Sequence, residues 1–282
     1  MSNLRRVTSP TTGPTNPAQR QRWNDEHWTT LWPKRERYTD VVTPHLLDAV
    51  GLVDGERALD IGSGGGKTSI AAARQVGPGG TVTGADISTP LVELARRRAA
   101  EAGADNVAFE VVDIQHDRVA GAPFDVALSQ FGVMFFDEPV TEFTNIASHL
   151  RPGGRLAFAC WQSAEQNPFI VAASMALFLP APPPPAAGKE PTGPFALADP
   201  DRTASILGDA GFAAIERRAI DITVDLPEAE VIDEDQLVLM GISETDLPAA
   251  LRALDDQLGE FRVGDGLSRF PLSFQIFEAR VR

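Results

Sequence analysis

Leu59-Asp60-Ile61-Gly62-Ser63-Gly64-Gly65-Gly66-Lys67-Thr68 is the stretch on which the reading of this chain turns. Arg57 to Ile61 is a short apolar run that breaks on a glycine cluster, so it reads as a strand entering a tight turn. Thr68 to Val76 is alanine-rich and closed by Gly77-Pro78-Gly79-Gly80, so it reads as a helix. A glycine turn between a parallel strand and a helix lets a ligand touch the backbone. A phosphate-binding P-loop needs a glycine, four residues, then Gly-Lys-Thr; here Gly66-Lys67-Thr68 is present, but Ile61 stands where that first glycine belongs. A dinucleotide loop needs Gly-x-Gly-x-x-Gly, and the run beginning at Gly62 brings its third glycine one position early. Asp60 at the strand end also repels phosphate in either case. A ligand with no phosphate and a positive charge suits that carboxylate, and a tight turn with no ligand is the remaining reading.

Outward from this loop the βαβ rhythm continues. Thr81 to Asp86 is a second strand, and Thr89 to Ala102 is a helix with Leu91, Ala95, Ala99 and Ala102 on one face and Gly103 as its stop. Val107 to Val112, Phe124 to Ser129 and Arg155 to Cys160 are further strands, with a helix over Val140 to Leu150. Strands alternating with helices at this pitch predict an α/β fold with a parallel sheet covered on both faces. After Cys160 the rhythm changes: Ala181-Pro182-Pro183-Pro184-Pro185 is incompatible with a helix or a central strand. A helix over Asp199 to Gly211, an acidic helical stretch over Glu228 to Phe261, and strands over Ala214 to Leu226 and Phe270 to Val281 follow. The division expected is a mobile tail at 1–18, a helical lid at 19–50, a Rossmann-like core at 51–164 and a substrate-side region at 165–282.

Three more strand ends carry chemistry. Asp86 closes the second strand, where a carboxylate can accept both hydroxyls of a ribose. Asp113 follows the third, where one can accept an adenine amino group, and Ser129-Gln130-Phe131 ends the fourth. In an open parallel sheet all these ends face one crevice. A sulfonium, an ammonium, a ribose and an adenine, without phosphate, describe S-adenosylmethionine.

Composition narrows the partners. A net charge of −14 and a pI near 4.7 over 282 residues disfavour a nucleic-acid substrate and an anionic membrane surface. No apolar run is long enough for a membrane span. Two arginines without an apolar stretch near the N-terminus do not read as a secretory signal, and the lone Cys160 suits a reducing compartment, so the expected location is the cytoplasm. An oligomer is left open.

The pieces ALDIGSGGG, TVTGADIS, FEVVDIQ, FDVALSQFGVMFF and LRPGGRLAFACWQ together resemble the class I S-adenosylmethionine-dependent methyltransferases, especially the small-molecule branch similar to enzymes of ubiquinone and menaquinone biosynthesis. The resemblance runs from about Trp23 to Ala164. It implies a Rossmann-like, seven-stranded, mostly parallel sheet with helices on both faces and an antiparallel last strand. It implies that Asp60 holds the methionine ammonium, directly or through water, and that Gly62, Ser63 and Gly64 contact the ligand by backbone. Asp86 would bind the ribose with Ile87 on the adenine, and Asp113 and Ile114 would flank the ring. Ser129 and Gln130 would line the methionine portion and Phe131 the methyl-transfer face, while the N-terminal segment with Trp23 and Trp28 would fold over the cofactor. Similar sequences often carry arginine where Gln130 stands, so a carboxylate contact is in question here.

Methyl transfer asks mainly for alignment, water exclusion and electrostatic support; a base is needed only where the nucleophile must lose a proton. Of four histidines, His27, among the lid tryptophans, is the one candidate base; His45, His116 and His149 read as structural, His149 as a helix-end cation. Lys67 reads as a surface cation. Phe131, Met134, Phe135 and Phe136, followed by Trp161, Phe169 and Phe178, are candidate walls for an apolar acceptor. No metal is expected. The function expected is methyl transfer to a small, apolar or aromatic metabolite; the alternatives are a nicotinamide-dependent oxidoreductase and a non-catalytic S-adenosylmethionine-binding module.

Overall fold

A computed structural model describes residues 17–170, 192–231, 234–239 and 242–282. Most of the expected tail and of the proline-rich stretch lies outside these residues, although Pro17 and Ala18, which the sequence assigns to the tail, already open a helix. The chain begins with α1 (Pro17–Trp23), α2 (Glu26–Thr39) and α3 (Thr43–Val50). The alternating core follows as β1 (Arg57–Ile61), α4 (Lys67–Gln75), β2 (Thr81–Asp86), α5 (Thr89–Glu101), β3 (Val107–Val111), β4 (Phe124–Gln130), α6 (Pro139–His149) and β5 (Leu150–Trp161). The last part comprises α7 (Pro200–Asp209), β6 (Phe212–Pro227), α8 (Glu228–Val231), α9 (Glu234–Leu239), α10 (Leu247–Leu258), β7 (Arg262–Gly264) and β8 (Leu267–Val281).

The strands form one sheet in the order β3-β2-β1-β4-β5-β8-β6, with the short β7 pairing off this path with β8. β1 to β5 pair in parallel, and β8 runs antiparallel to both β5 and β6, as the resemblance implies. The short β7 makes eight strands rather than seven. Along β4, Val126, Ala127 and Leu128 are all fully buried. Successive strand residues point to opposite faces, so burial without alternation means both faces are covered.

Local chemistry sets the helix starts. Ser88 caps α5 by accepting from the Leu91 amide at 3.4 Å, with Pro90 in the first turn. Asp199 caps α7 by accepting from the amides of Asp201 and Arg202, both at 3.0 Å. His149 departs from the helix-end cation expected. It is fully buried, accepts at Nε2 from the Val119 amide at 2.9 Å and donates from Nδ1 to the Asn145 carbonyl at 2.8 Å. That pairing is the neutral tautomer, and burial moves its pKa below the usual histidine value. The ring ties the loop after β3 to α6 and carries no charge to a helix end.

The strand order reverses between β1 and β4, so the crevice that serves as a binding site in such sheets opens beyond their carboxyl ends. There the two turns touch: a Cβ on Gly62 would lie 2.8 Å from the Gly132 Cα. Ser129 stitches the same junction, donating from Oγ to the Ile61 carbonyl at 2.7 Å and accepting from the Gly132 amide at 3.2 Å.

Candidate active site

The glycine turn hydrogen-bonds to itself and to β2. Gly62 and Ser63 donate to the Ala85 carbonyl at 2.8 and 3.1 Å, Gly66 to the Ser63 carbonyl at 2.9 Å, and Gly64 to Asp86 Oδ2 at 2.8 Å. A phosphate cradle needs such amides pointing at the ligand. Here these four are already engaged. Ser63 Oγ, by contrast, is buried and has no hydrogen-bond partner among the described residues.

Three carboxylates stand around the turn. Asp60 is 1% exposed and accepts from Ser69 Oγ at 2.5 Å; burial pushes its pKa up to about 7. Asp86 accepts from the Gly64 and Ser88 amides, both at 2.8 Å, yet burial still raises it above the usual carboxylate range. Asp113 is buried and accepts from the Gln115 amide at 3.2 Å. All three line one cavity together with Gly62, Ser63 and Ile87. Ile114, Gln130, Phe131 and Trp23 complete the set of expected residues on that wall. Ser129 is not on it, because its hydroxyl serves the β1–β4 junction, and Gly64 is turned toward Asp86. The side chains of His27 and Trp28, and all of Phe178, lie outside the described residues.

Residues of α1 and α2 line the same cavity. At the α1–α2 turn, Ser88 Oγ donates to the Trp23 carbonyl at 2.5 Å and Asn24 Oδ1 accepts from the Thr89 amide at 2.9 Å. On α2, Trp32 lies against Gly64 so closely that a Cβ there would come within 2.3 Å of the indole. Trp32 Nε1 donates to Glu36 Oε1 at 2.6 Å, and Arg98 on α5 holds both Glu36 oxygens at 2.7 and 2.8 Å while also donating to the Gly65 carbonyl. Lys67 is more than the surface cation expected: its Nζ pairs with Asp40 at 2.6 Å and reaches Glu36 at 3.5 Å. Gln130 is likewise tied to the N-terminal helices, accepting from Thr43 Oγ1 at 2.8 Å and donating to the Thr39 carbonyl at 3.0 Å. Trp32, Glu36 and Asp40 are cavity residues that sequence reading missed; their helical spacing of four was the available signal.

Glu36→Ala should therefore unlatch the lid. Leaving Arg98 and the Trp32 N–H without their shared acceptor costs on the order of 1–3 kcal/mol. Limited proteolysis should cut within α2 about tenfold faster or more, at 1.4 kcal/mol per tenfold. An unchanged cleavage rate would show that this contact does not hold the lid.

The opposite wall is apolar. Phe131 stacks on Trp161 with ring centroids 4.0 Å apart and 13° between planes, and Trp23 meets Phe135 edge-on at 5.1 Å. Met134, Phe136 and Ile170 also face the cavity. Phe169, expected as a wall, belongs to the core instead: it is 1% exposed and stacks on Phe270 at 4.7 Å. No histidine or cysteine is among the described residues that line the cavity.

Residues 52–179 match the family model described as methyltransferase domain. Aklanonic acid methyltransferase DauC of a Streptomyces species is 37% identical over 113 residues, which cover 40% of this chain and 51% of that protein. Nocamycin O-methyltransferase of Saccharothrix syringae is 36% identical over 115 residues, 41% of either chain. The chain thus spans about half, or less, of the length of these curated relatives. Among solved structures, YcgJ of Bacillus subtilis matches with a TM-score of 0.60 at 14% identity, covering 86% of this chain and 99% of its own. The [4+2]-cyclase SpnF matches with a TM-score of 0.57 at 18% identity, covering 96% and 99%. These two show the fold alone, and a protein named as a cyclase has it too. Residues 52–179 thus match a methyltransferase domain, and the strand order agrees with that match. Its relatives named above are named for small-molecule acceptors.

Proposed function

We propose that this chain transfers the methyl group of S-adenosylmethionine to a small, apolar or aromatic metabolite in the cytoplasm. The observation that carries the reading is the glycine turn: the amides of Gly62, Ser63, Gly64 and Gly66 are engaged internally while buried Asp60 and half-buried Asp86 stand beside it. Such a site favours a cation and hydroxyls over a phosphate. The same observation argues against a nicotinamide cofactor.

The bound sulfonium supplies a methyl carbon already activated for in-line displacement. Asp60 would hold the methionine ammonium, and Asp86 would accept from the ribose hydroxyls with the lone pairs its two amide donors leave over. Ile87 and Ile114 would pack on the adenine and Asp113 would accept from its amino group, under the lid that Trp23 helps to close. Phe131 and Trp161, stacked in the cavity wall, would keep water from the acceptor, which leaves positioning as the main contribution of the chain.

Incubation with S-adenosylmethionine carrying a deuterated methyl group and a panel of apolar and aromatic metabolites tests this reading. Mass spectrometry should show one labelled methyl group on an acceptor. Bound cofactor with no labelled product across the panel would favour the non-catalytic module instead.

The acidic end adds a pH dependence. Without a cation, Asp60 titrates at about 7. A cation against it favours the ionised form, so binding below that pH must release a proton. Affinity should rise between about pH 6 and 8 and then level off, by up to about tenfold per pH unit on the acid side. Calorimetry in buffers of different ionisation heat reads the proton release directly. A pH-independent affinity with no proton release would remove Asp60 from the ammonium site.

A further inference from the structure

Among the polar groups that line the cavity, the Tyr38 hydroxyl has no role in the site described above. Tyr38 is the only tyrosine in the chain. It lies on α2, is 8% exposed, meets Phe169 edge-on with centroids 5.0 Å apart, and lines the cavity near Ile170. No described residue hydrogen-bonds its hydroxyl, and the residue that carries it lines the cavity.

A phenol buried among apolar groups normally finds a partner, and leaving the bond unmade is unfavourable. The aromatic and aliphatic side chains around it offer a water molecule few of the polar partners it needs to be held. A ligand oxygen satisfies the hydroxyl better than a poorly held water does. Phe131 stacked on Trp161, which line the same cavity, present flat apolar surface, which matches a flat apolar ligand.

We propose that Tyr38 hydrogen-bonds an oxygen of the acceptor, so that the site selects flat, apolar acceptors bearing a hydroxyl or carbonyl oxygen. This rests on the methyl-transfer reading above. Tyr38 is then a positioning residue: it orients the acceptor without exchanging a proton with it. The neutral phenol can donate to a carbonyl or accept from a hydroxyl, so a charged acceptor is not required.

Tyr38→Phe keeps the ring against Phe169 and removes only the hydroxyl. With the protein saturated in S-adenosylhomocysteine, two probes of equal shape separate the outcomes: 1-naphthol, which has the oxygen, and 1-methylnaphthalene, which lacks it. Calorimetry should show the wild type preferring 1-naphthol by about tenfold, and Tyr38→Phe reducing the preference to within about twofold with S-adenosylhomocysteine affinity unchanged. Because Tyr38 is the sole tyrosine, incorporation of 3-fluorotyrosine gives a single fluorine resonance, which 1-naphthol should shift saturably. A preference for 1-naphthol that survives in Tyr38→Phe, or binding of neither probe, overturns the assignment while the cofactor reading stands. Failure of S-adenosylhomocysteine to bind at all overturns both.

Discussion

Asp60→Asn should weaken S-adenosylmethionine binding by tens-fold or more, since removing one partner of a partly buried charged hydrogen bond costs about 2–5 kcal/mol. The folded protein should not suffer in the cofactor's absence. A buried carboxyl raised to about 7 is an acid whose folded pKa lies above its unfolded value. It favours the folded state only while protonated, and that contribution fades as pH rises from about 4 to 7. The asparagine removes this cost, so the melting temperature of the free protein at pH 8 should stay level or rise. Lys67→Ala is the contrasting variant. Its partner Asp40 is 41% exposed and Lys67 itself 42%, so the pair contributes about 0–1 kcal/mol and binding should hold within about tenfold. A phosphate cradle demands the opposite ranking. Calorimetry on both variants decides between them.

Gly62→Ala should be the most damaging small substitution in the turn. Its Cβ would approach the Gly132 Cα to 2.8 Å, backbone against backbone, and its φ of +67° is strained for any residue with a Cβ. Left-handed geometry costs roughly 1–2 kcal/mol and overpacking about 1–3 more. A chain of this size loses about 2–4 °C of melting temperature per kcal/mol, so a fall of about 5–15 °C is expected. Gly153→Ala isolates the backbone contribution, because Gly153 has φ +72° but no atom within 4 Å of its Cβ position. It should lose only the smaller part. Equal losses in the two variants would mean that the close approach of the two turns is not what restricts Gly62 to glycine.

The alternation of strand, turn and helix around Asp60 was legible because each piece obeys a local rule: apolar run, glycine turn, capped helix. The acids at the ends of β1, β2 and after β3 were legible for a related reason, since a parallel sheet brings its strand ends to one edge. The orientation of a hydroxyl is a different matter. Ser129 looks the same in sequence whether it faces a ligand or, as it does, the Ile61 carbonyl of the neighbouring strand. Gln130 has the same ambiguity, settled here by Thr39 and Thr43, residues 91 and 87 positions away. The N-terminal helices were legible only as aromatic residues at helical spacing. Their fastening depends on Glu36 meeting Arg98 across 62 positions, a pairing that no local pattern announces. His149 was misread because a histidine at a helix end usually serves the helix dipole, and only the position of the Val119 amide shows otherwise.

Calorimetric titration of the intact chain with S-adenosylmethionine, S-adenosylhomocysteine, NAD and ATP decides which ligand the cavity takes. The first two should bind at low to tens of micromolar, roughly −6 to −8 kcal/mol, and the two phosphate-bearing ligands should give no saturable heat. Tight binding of NAD or ATP with none of S-adenosylmethionine would rule out a methyl-donor site.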